Sequence, residues 1–241
     1  MYRMSANFYP ARNPKNGYVG KANLTIGNGI RLNDISVFEK DDAVNLAFPS
    51  YRDKDGEEHS YIIPASKDAY AAMLEVIMCA RTLENHFAYT KGEVNPELSV
   101  VGRLSTNQYA DGYYALRVKD CCTLPGISTR QVEIDREGKT KKFVSVDLPE
   151  LVDSNGKATH YTDGDGKEQY NTVFNGLIDK WTDKDGKEQE KNFSTLITRM
   201  VLSCRKRELE KKPSLNEKVK AAESKKASIP GKDAEMPQQT H

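Results

Sequence analysis

Residues 44–61 read Val44-Asn-Leu46-Ala-Phe48-Pro49-Ser50-Tyr51-Arg52-Asp53-Lys54-Asp55-Gly56-Glu57-Glu58-His59-Ser60-Tyr61. Residues 144–161 read Val144-Ser-Val146-Asp-Leu148-Pro149-Glu150-Leu151-Val152-Asp153-Ser-Asn155-Gly156-Lys-Ala-Thr-His160-Tyr161. Each stretch starts as an alternating apolar strand, meets a proline, crosses a short polar loop and turns at Asp-x-x-Gly. Pro49, Asp53, Gly56 and Tyr61 return one hundred positions later as Pro149, Asp153, Gly156 and Tyr161. A repeat of this length implies one supersecondary unit used twice.

Upstream of the first copy, residues 3–9 suit a strand. Residues 18–26 carry Ala22, Leu24 and Ile26 at period two. Gly27-Asn28-Gly29 is a hairpin turn, because Asn and Gly accept the positive φ that tight hairpins demand. Residues 30–38 form the next strand, and Val44, Leu46 and Phe48 share a face of the one after. Asp53 to Gly56 turns into a short strand over 60–63, closed by Pro64. Strands joined by such short turns pair as an antiparallel meander. A helix then follows a cap at Ser66 or Asp68, with Tyr70, Met73, Leu74, Ile77 and Arg81 at helical spacing. Residues 90–97, punctuated by Gly92 and Pro96, read as a linker.

The second copy opens at Leu98, with strands expected over 113–123 and 127–134 around a turn at Pro125-Gly126. After Tyr161 the correspondence slips. Two more Asp-Gly turns, at Asp165-Gly166 and Asp185-Gly186, flank an expected strand at 170–178, so 162–192 reads as an insertion carrying a hairpin. A helix over 194–211 uses Leu196, Ile197, Met200, Val201 and Cys204. The competing helix at 169–181 would hold Asn175-Gly176 at its centre, at a cost of about 1 kcal/mol or more. From Pro213 onward the chain is nearly devoid of apolar residues, and residues 212–241 are expected to be disordered. The fold class expected is α+β: tandem modules at 1–89 and 98–211, each a meander followed by one C-terminal helix, arranged as a pseudo-dimer.

With 241 residues, two modules can each bury a core. No apolar run is long enough to cross a bilayer, and the N-terminus lacks a secretory pattern. Cys79, Cys121, Cys122 and Cys204 show no CxxC spacing and no neighbouring His cluster, which fits a reduced cytoplasm and no metal site. The Asp-x-Asp-Gly turns fail as calcium loops, since Lys167 and Lys187 fall where the fifth position needs an oxygen ligand. His59, His86, His160 and His241 accompany no nucleophile motif, and no phosphate-cradling glycine loop is present. A non-enzymatic protein without a cofactor is expected.

The net charge of +1 carries no message, but basic residues gather locally. Lys139, Lys141 and Lys142 share one turn. Arg199, Arg205, Lys206 and Arg207 share the second helix, whose C-terminal dipole by itself favours cations. Arg52 and Lys54 flank the first Asp-x-x-Gly turn beside Tyr51. A cation at a hairpin tip reaches phosphate, and an adjacent aromatic stacks on bases. The bland alternative is a solvated tip whose charges cancel against Asp53, Asp55, Glu57 and Glu58.

Ala22-Asn-Leu-Thr-Ile26 through Ile35-Ser-Val37, then Val44 to Ser50, Asp55-Gly56-Glu57 and Ile63-Pro64, resemble the SpoVG family (septation protein, stage V sporulation protein G). The resemblance spans residues 18–83, with a weaker echo over 98–211. It implies small bacterial proteins with an antiparallel sheet and a following helix that pair as homodimers. It further implies binding of DNA and RNA and control of gene expression linked to septation, cell division and sporulation. A tandem copy then implies a monomeric pseudo-dimer, with further self-association open. This chain departs from the family pattern at Tyr51, which replaces one cation of a basic pair, and at Ile63, which replaces a histidine. Glu150-Leu151-Val152 retains no basic pair.

Overall fold

The computed structural model describes residues 2–41, 43–89, 91–136, 139–153 and 155–211. The expected disorder of residues 212–241 lies outside them. The chain is α+β, with mostly antiparallel strands and two helices among the described residues. In order, the elements are β1 (Met4–Lys15), β2 (Tyr18–Ile26), β3 (Ile30–Lys40), β4 (Ala43–Ala47), β5 (Ser50–Arg52), β6 (Glu58–Ser60), β7 (Ile63–Pro64), α1 (Lys67–Thr82) and β8 (His86–Ala88). Then come β9 (Leu98–Leu104), β10 (Gly112–Val118), β11 (Cys122–Arg136), β12 (Lys139–Asp147), β13 (His160–Thr162), β14 (Glu168–Tyr170), β15 (Phe174–Gly176), β16 (Ile178–Thr182), β17 (Glu188–Asn192) and α2 (Phe193–Lys211). Neither helix is long and apolar enough to cross a membrane.

One sheet runs β15-β3-β2-β1-β8, with β4 also paired to β3; the other runs β12-β11-β10-β9, with β7 also paired to β11. The period-two pattern places Ala22, Leu24 and Ile26 of β2 inward, fully buried. On β3 the inward set changes parity between Leu32 and Ile35. Asn33 and Asp34 there oppose the single residue Asn23, and Asp34 adopts φ 61°. That is a β-bulge, which pushes Asn33 and Asp34 out of the ladder.

The same bulge recurs in the second sheet, and it corrects one expectation. Pro125-Gly126 is not the turn between strands but a bulge within β11, opposite Ala115 of β10. Proline has no N–H to give a ladder, and Gly126 supplies φ 93°. The turn itself falls earlier, at Lys119-Asp120-Cys121, where Asp120 takes φ 54°.

Each half of the chain lends a strand to the sheet of the other. Pro64 of β7 pairs with Cys122 of β11, and Gly176 of β15 pairs with Ile30 of β3. Next to these pairs, Ala65 N–H donates to Cys121 O and Leu177 N–H donates to Gly29 O, both at 2.8 Å. Further back, Tyr61 N–H donates to Pro49 O at 2.9 Å, while Val173 N–H donates to Pro149 O at 2.8 Å. Structurally, therefore, Tyr61 answers to Val173, although the sequence echo aligns it with Tyr161.

The expected insertion 162–192 resolves into two hairpins, β13–β14 and β16–β17, on either side of β15. β15 belongs to the six-stranded sheet, and Phe174 is fully buried. Phe193 N–H donates to Leu177 O at 2.8 Å, closing the base of the second hairpin.

Ser66 caps α1 by accepting from Ala69 N–H at 3.0 Å. Met73, Val76, Ile77 and Ala80 then bury completely. α2 starts one residue before its expected position, with Asn192 Oδ1 accepting from Thr195 N–H at 2.9 Å. Residues from both sheets and both helices form one core cluster.

Candidate functional site

Tyr51 and Arg52 lie on β5, and Lys54 lies in the turn to β6. Three contacts build this hairpin. Asp53 Oδ1 accepts from Asp55 N–H and Glu57 N–H, both at 2.9 Å, and its Oδ2 contacts His59 Nε2 at 2.8 Å. The His59 contact, helped by the two backbone donors, holds the Asp53 carboxyl below its usual range. Asp53 is thereby consumed in shaping the turn. Asp163 and Asp183 make the same backbone bonds and accept from Gln169 and Gln189 in place of His59. The reading of the Asp-x-x-Gly motifs as hairpin turns is thus physically accounted for.

With the turn fixed, Tyr51 sits over its neighbours. Its ring centroid lies 4.7 Å from that of Tyr61 at 36°, and 5.4 Å from the His59 ring at 34°. Tyr61 is partly buried, which together with the nearby Tyr51 raises its phenol pKa. Tyr51 remains 38% exposed. Arg52 and Lys54 are exposed on the same hairpin. A partly exposed aromatic ring beside two cations suits contact with a base and its phosphates.

Lys139, Lys141 and Lys142 occupy the distal part of β12, which with β11 forms a long solvent-exposed ribbon. Lys142 pairs with Glu133 across the ladder at 2.6 Å. The α2 cations part company. Arg199, Lys206 and Arg207 are exposed, whereas Arg205 is bound to Asp111 by Nη2–Oδ2 at 2.7 Å and Nε–Oδ1 at 3.2 Å. No hydrogen bond or ion pair joins the hairpin, the ribbon and the helix clusters to one another among the described residues.

The sequence pattern passed over a second concave region. A cleft of about 930 Å³ lies between the outward residues of β2 and β3, the edge strand β15 and the β13–β14 hairpin. Asn33 Nδ2 donates to Thr172 O at 2.9 Å and to Asn175 Oδ1 at 3.0 Å. Asp34 pairs with Lys21 at 2.6 Å. Alternation along Ile30-Arg31-Leu32-Asn33 does mark Arg31 as outward-facing. Nothing in sequence says that the loop 140 residues downstream returns to cover it; Thr172 follows Asn33 by 139 positions.

The fold and these surfaces define an α+β protein built on two antiparallel sheets, with projecting hairpins. Comparison with protein-family models, with curated proteins and with solved structures returns no match.

Proposed function

We propose that this chain is a non-enzymatic nucleic-acid-binding protein of the SpoVG type, with a regulatory role, whose two halves act as an intramolecular pseudo-dimer. The observation that carries the binding reading is the Tyr51 ring, packed at a tilt against Tyr61 and His59, partly open to solvent and flanked by Arg52 and Lys54. The tyrosine that replaces one basic residue of the family pattern trades a phosphate contact for a base-stacking surface. The lysines of the β11–β12 ribbon extend the cationic surface. What supports the pseudo-dimer is the matched register: Pro64 with Cys122 and Gly176 with Ile30, each strand lent to the other sheet.

DNA, RNA or both are the partners, and titration of labelled single-stranded DNA, double-stranded DNA and RNA at low and moderate salt tests the reading. Binding that weakens with salt, and weakens further in Tyr51→Ala, supports it. No binding at low salt sinks it. The second reading is a protein-interaction adaptor that keeps the fold. The neutralisation of Arg205 by Asp111 and of Lys142 by Glu133 favours that alternative, because both remove charge from the proposed phosphate-facing set.

A further inference from the structure

The polar cleft beside β15 contains one group whose state calls for a partner. Arg31 Nε is buried and has no hydrogen-bond partner among the described residues. Asp34, three positions along the same strand, is engaged by Lys21 at 2.6 Å and does not neutralise it. An unsatisfied guanidinium nitrogen shut away from solvent is costly, but Arg31 as a whole is only half-buried and lines the cleft, where its guanidinium can meet an acceptor. Phosphate and carboxylate are the acceptors that match its planar fork.

Around Arg31 the cleft offers carboxamides and phenols, and its two carboxylates are engaged, Asp34 by Lys21 and Asp153 by the Asn155 and Lys157 N–H groups. Asn33 is oriented by donating to Thr172 and Asn175, and Asn23 Oδ1 by accepting from Asp34 N–H at 3.1 Å. Asn33 Oδ1 and Asn23 Nδ2 stay uncommitted among the described residues, an acceptor and a donor of the kind that reads a base edge. Tyr161 and Tyr170 line the same cleft and are 52% and 53% exposed.

Among the described residues, the other sheet is covered at the equivalent place. Its matching bulge, Pro125-Gly126, is covered by Tyr61, whose Cε1 lies 2.7 Å from the position a Cβ on Gly126 would take. The register position of Arg31, opposite Asn175, is held there by Thr123 opposite Ile63. The longer excursion between Pro149 and Val173 brings Tyr161 and Tyr170 to the first sheet, and the smaller Val173 replaces the covering tyrosine.

We propose that this cleft binds a nucleotide, with its phosphate on Arg31, its ring system against Tyr161 and its base edge on the asparagines. An anion alone would leave the rings and amides idle, and a neutral sugar would leave the guanidinium unmatched. The ligand is a free mononucleotide or a nucleotide within a single strand. The site is separate from the Tyr51 hairpin and stands or falls independently of it.

The test is calorimetric titration of the full chain with AMP, GMP, CMP and UMP, with ribose 5-phosphate and inorganic phosphate as controls, and with short single-stranded oligonucleotides in parallel. Arg31→Met and Tyr161→Ala are the variants. The first removes an unsatisfied buried group and the second lies on a hairpin away from the core, so both should fold. Tyr51→Ala marks the other surface. The expected result is mononucleotide binding that Arg31→Met and Tyr161→Ala each weaken by about tenfold or more, and that Tyr51→Ala leaves unchanged. Oligonucleotide binding weakened by Arg31→Met, without mononucleotide binding, assigns the site to a strand. Equal affinity for ribose 5-phosphate and the mononucleotides overturns the nucleotide class. Absence of mononucleotide binding, together with oligonucleotide affinity indifferent to Arg31→Met, overturns the site itself. If Tyr51→Ala abolishes oligonucleotide binding in that last case, the hairpin reading survives alone. Mononucleotide binding with no oligonucleotide binding would leave this site standing and remove the hairpin reading.

Discussion

Arg205 of α2 grips Asp111, in the loop before β10, through two hydrogen bonds at 2.7 and 3.2 Å, and the buried Thr129 hydroxyl donates to the same carboxylate. A residue that charge clustering marks as a nucleic-acid contact is therefore a fastener between helix and sheet. Arg205→Ala leaves Asp111 partly desolvated without its cation and should lower unfolding free energy by about 2 kcal/mol. Lys206→Ala and Arg207→Ala, both exposed, should stay within about 0.5 kcal/mol of the parent. Urea unfolding of the three single variants separates the roles. A stable Arg205→Ala would deny the fastening role.

The same pair sets a pH dependence. Arg205, with help from Thr129, lowers the Asp111 pKa in the folded state. The folded chain therefore holds that proton less tightly than the unfolded chain. The resulting stability is present above the ordinary carboxylate pKa and is lost as pH falls through the lowered folded value. The stability difference between the parent and Asp111→Asn should thus shrink on acidification below pH of about 4. Unfolding midpoints measured across the acid range check this, and a gap independent of pH would contradict it.

The lent strand β15 requires glycine at its end. A Cβ on Gly176 would sit 2.3 Å from Ser194 N and 2.5 Å from Phe193 C, both backbone atoms that cannot swing away. Gly176→Ala should cost about 2–3 kcal/mol. Gly166, in an open turn with φ 77°, meets nothing within 4 Å, so Gly166→Ala should cost only about 1 kcal/mol of backbone strain. Thermal or denaturant unfolding of the pair gives the ranking, and a reversed order would refute the packing argument.

Single-stranded nucleic acid should feel the loss of the Tyr51 ring. Tyr51→Ala is expected to weaken binding by roughly 1–3 kcal/mol with little change in salt slope, because stacking releases no counterions. Lys141→Ala should reduce the slope by about one counterion if the ribbon touches phosphate. Fluorescence anisotropy over a salt series distinguishes the two effects. Equal slopes in the parent and Lys141→Ala would take the ribbon out of the interface.

Trp181 is the sole tryptophan and is 46% exposed on β16. Its emission should be that of a partly hydrated indole and should be open to acrylamide quenching. Asp183→Ala removes the acceptor for Asp185 N–H, Lys187 N–H and the Gln189 side chain. The hairpin should fray, shifting Trp181 emission to the red while α2 helicity persists by circular dichroism. Unchanged emission would mean that the hairpin does not depend on this carboxylate.

Local signals carried much of the secondary structure. Period-two alternation located β2 at residues 18–26 and the start of β3, and Ser66 ahead of helical spacing located α1. Asn175-Gly176 argued against a helix where β15 now lies, because both residues disfavour helical interiors. Pro125-Gly126 misled for an equally local reason. The dipeptide marks either a turn or a bulge, and only the cross-strand partner, Ala115 in β10, tells which.

Sequence by itself determined the α+β class, the Asp-x-x-Gly turns and the two helices, since each follows from interactions among residues a few positions apart. Tertiary structure alone decided which cations are free. It tied Arg205 to a carboxylate 94 residues earlier and left Arg31 Nε buried without a partner among the described residues. It also decided that β7 and β15 each join the other half's sheet. A charge or a strand edge meets its partner only after the chain has closed loops far longer than any turn or helix, and no local periodicity records where those ends will meet.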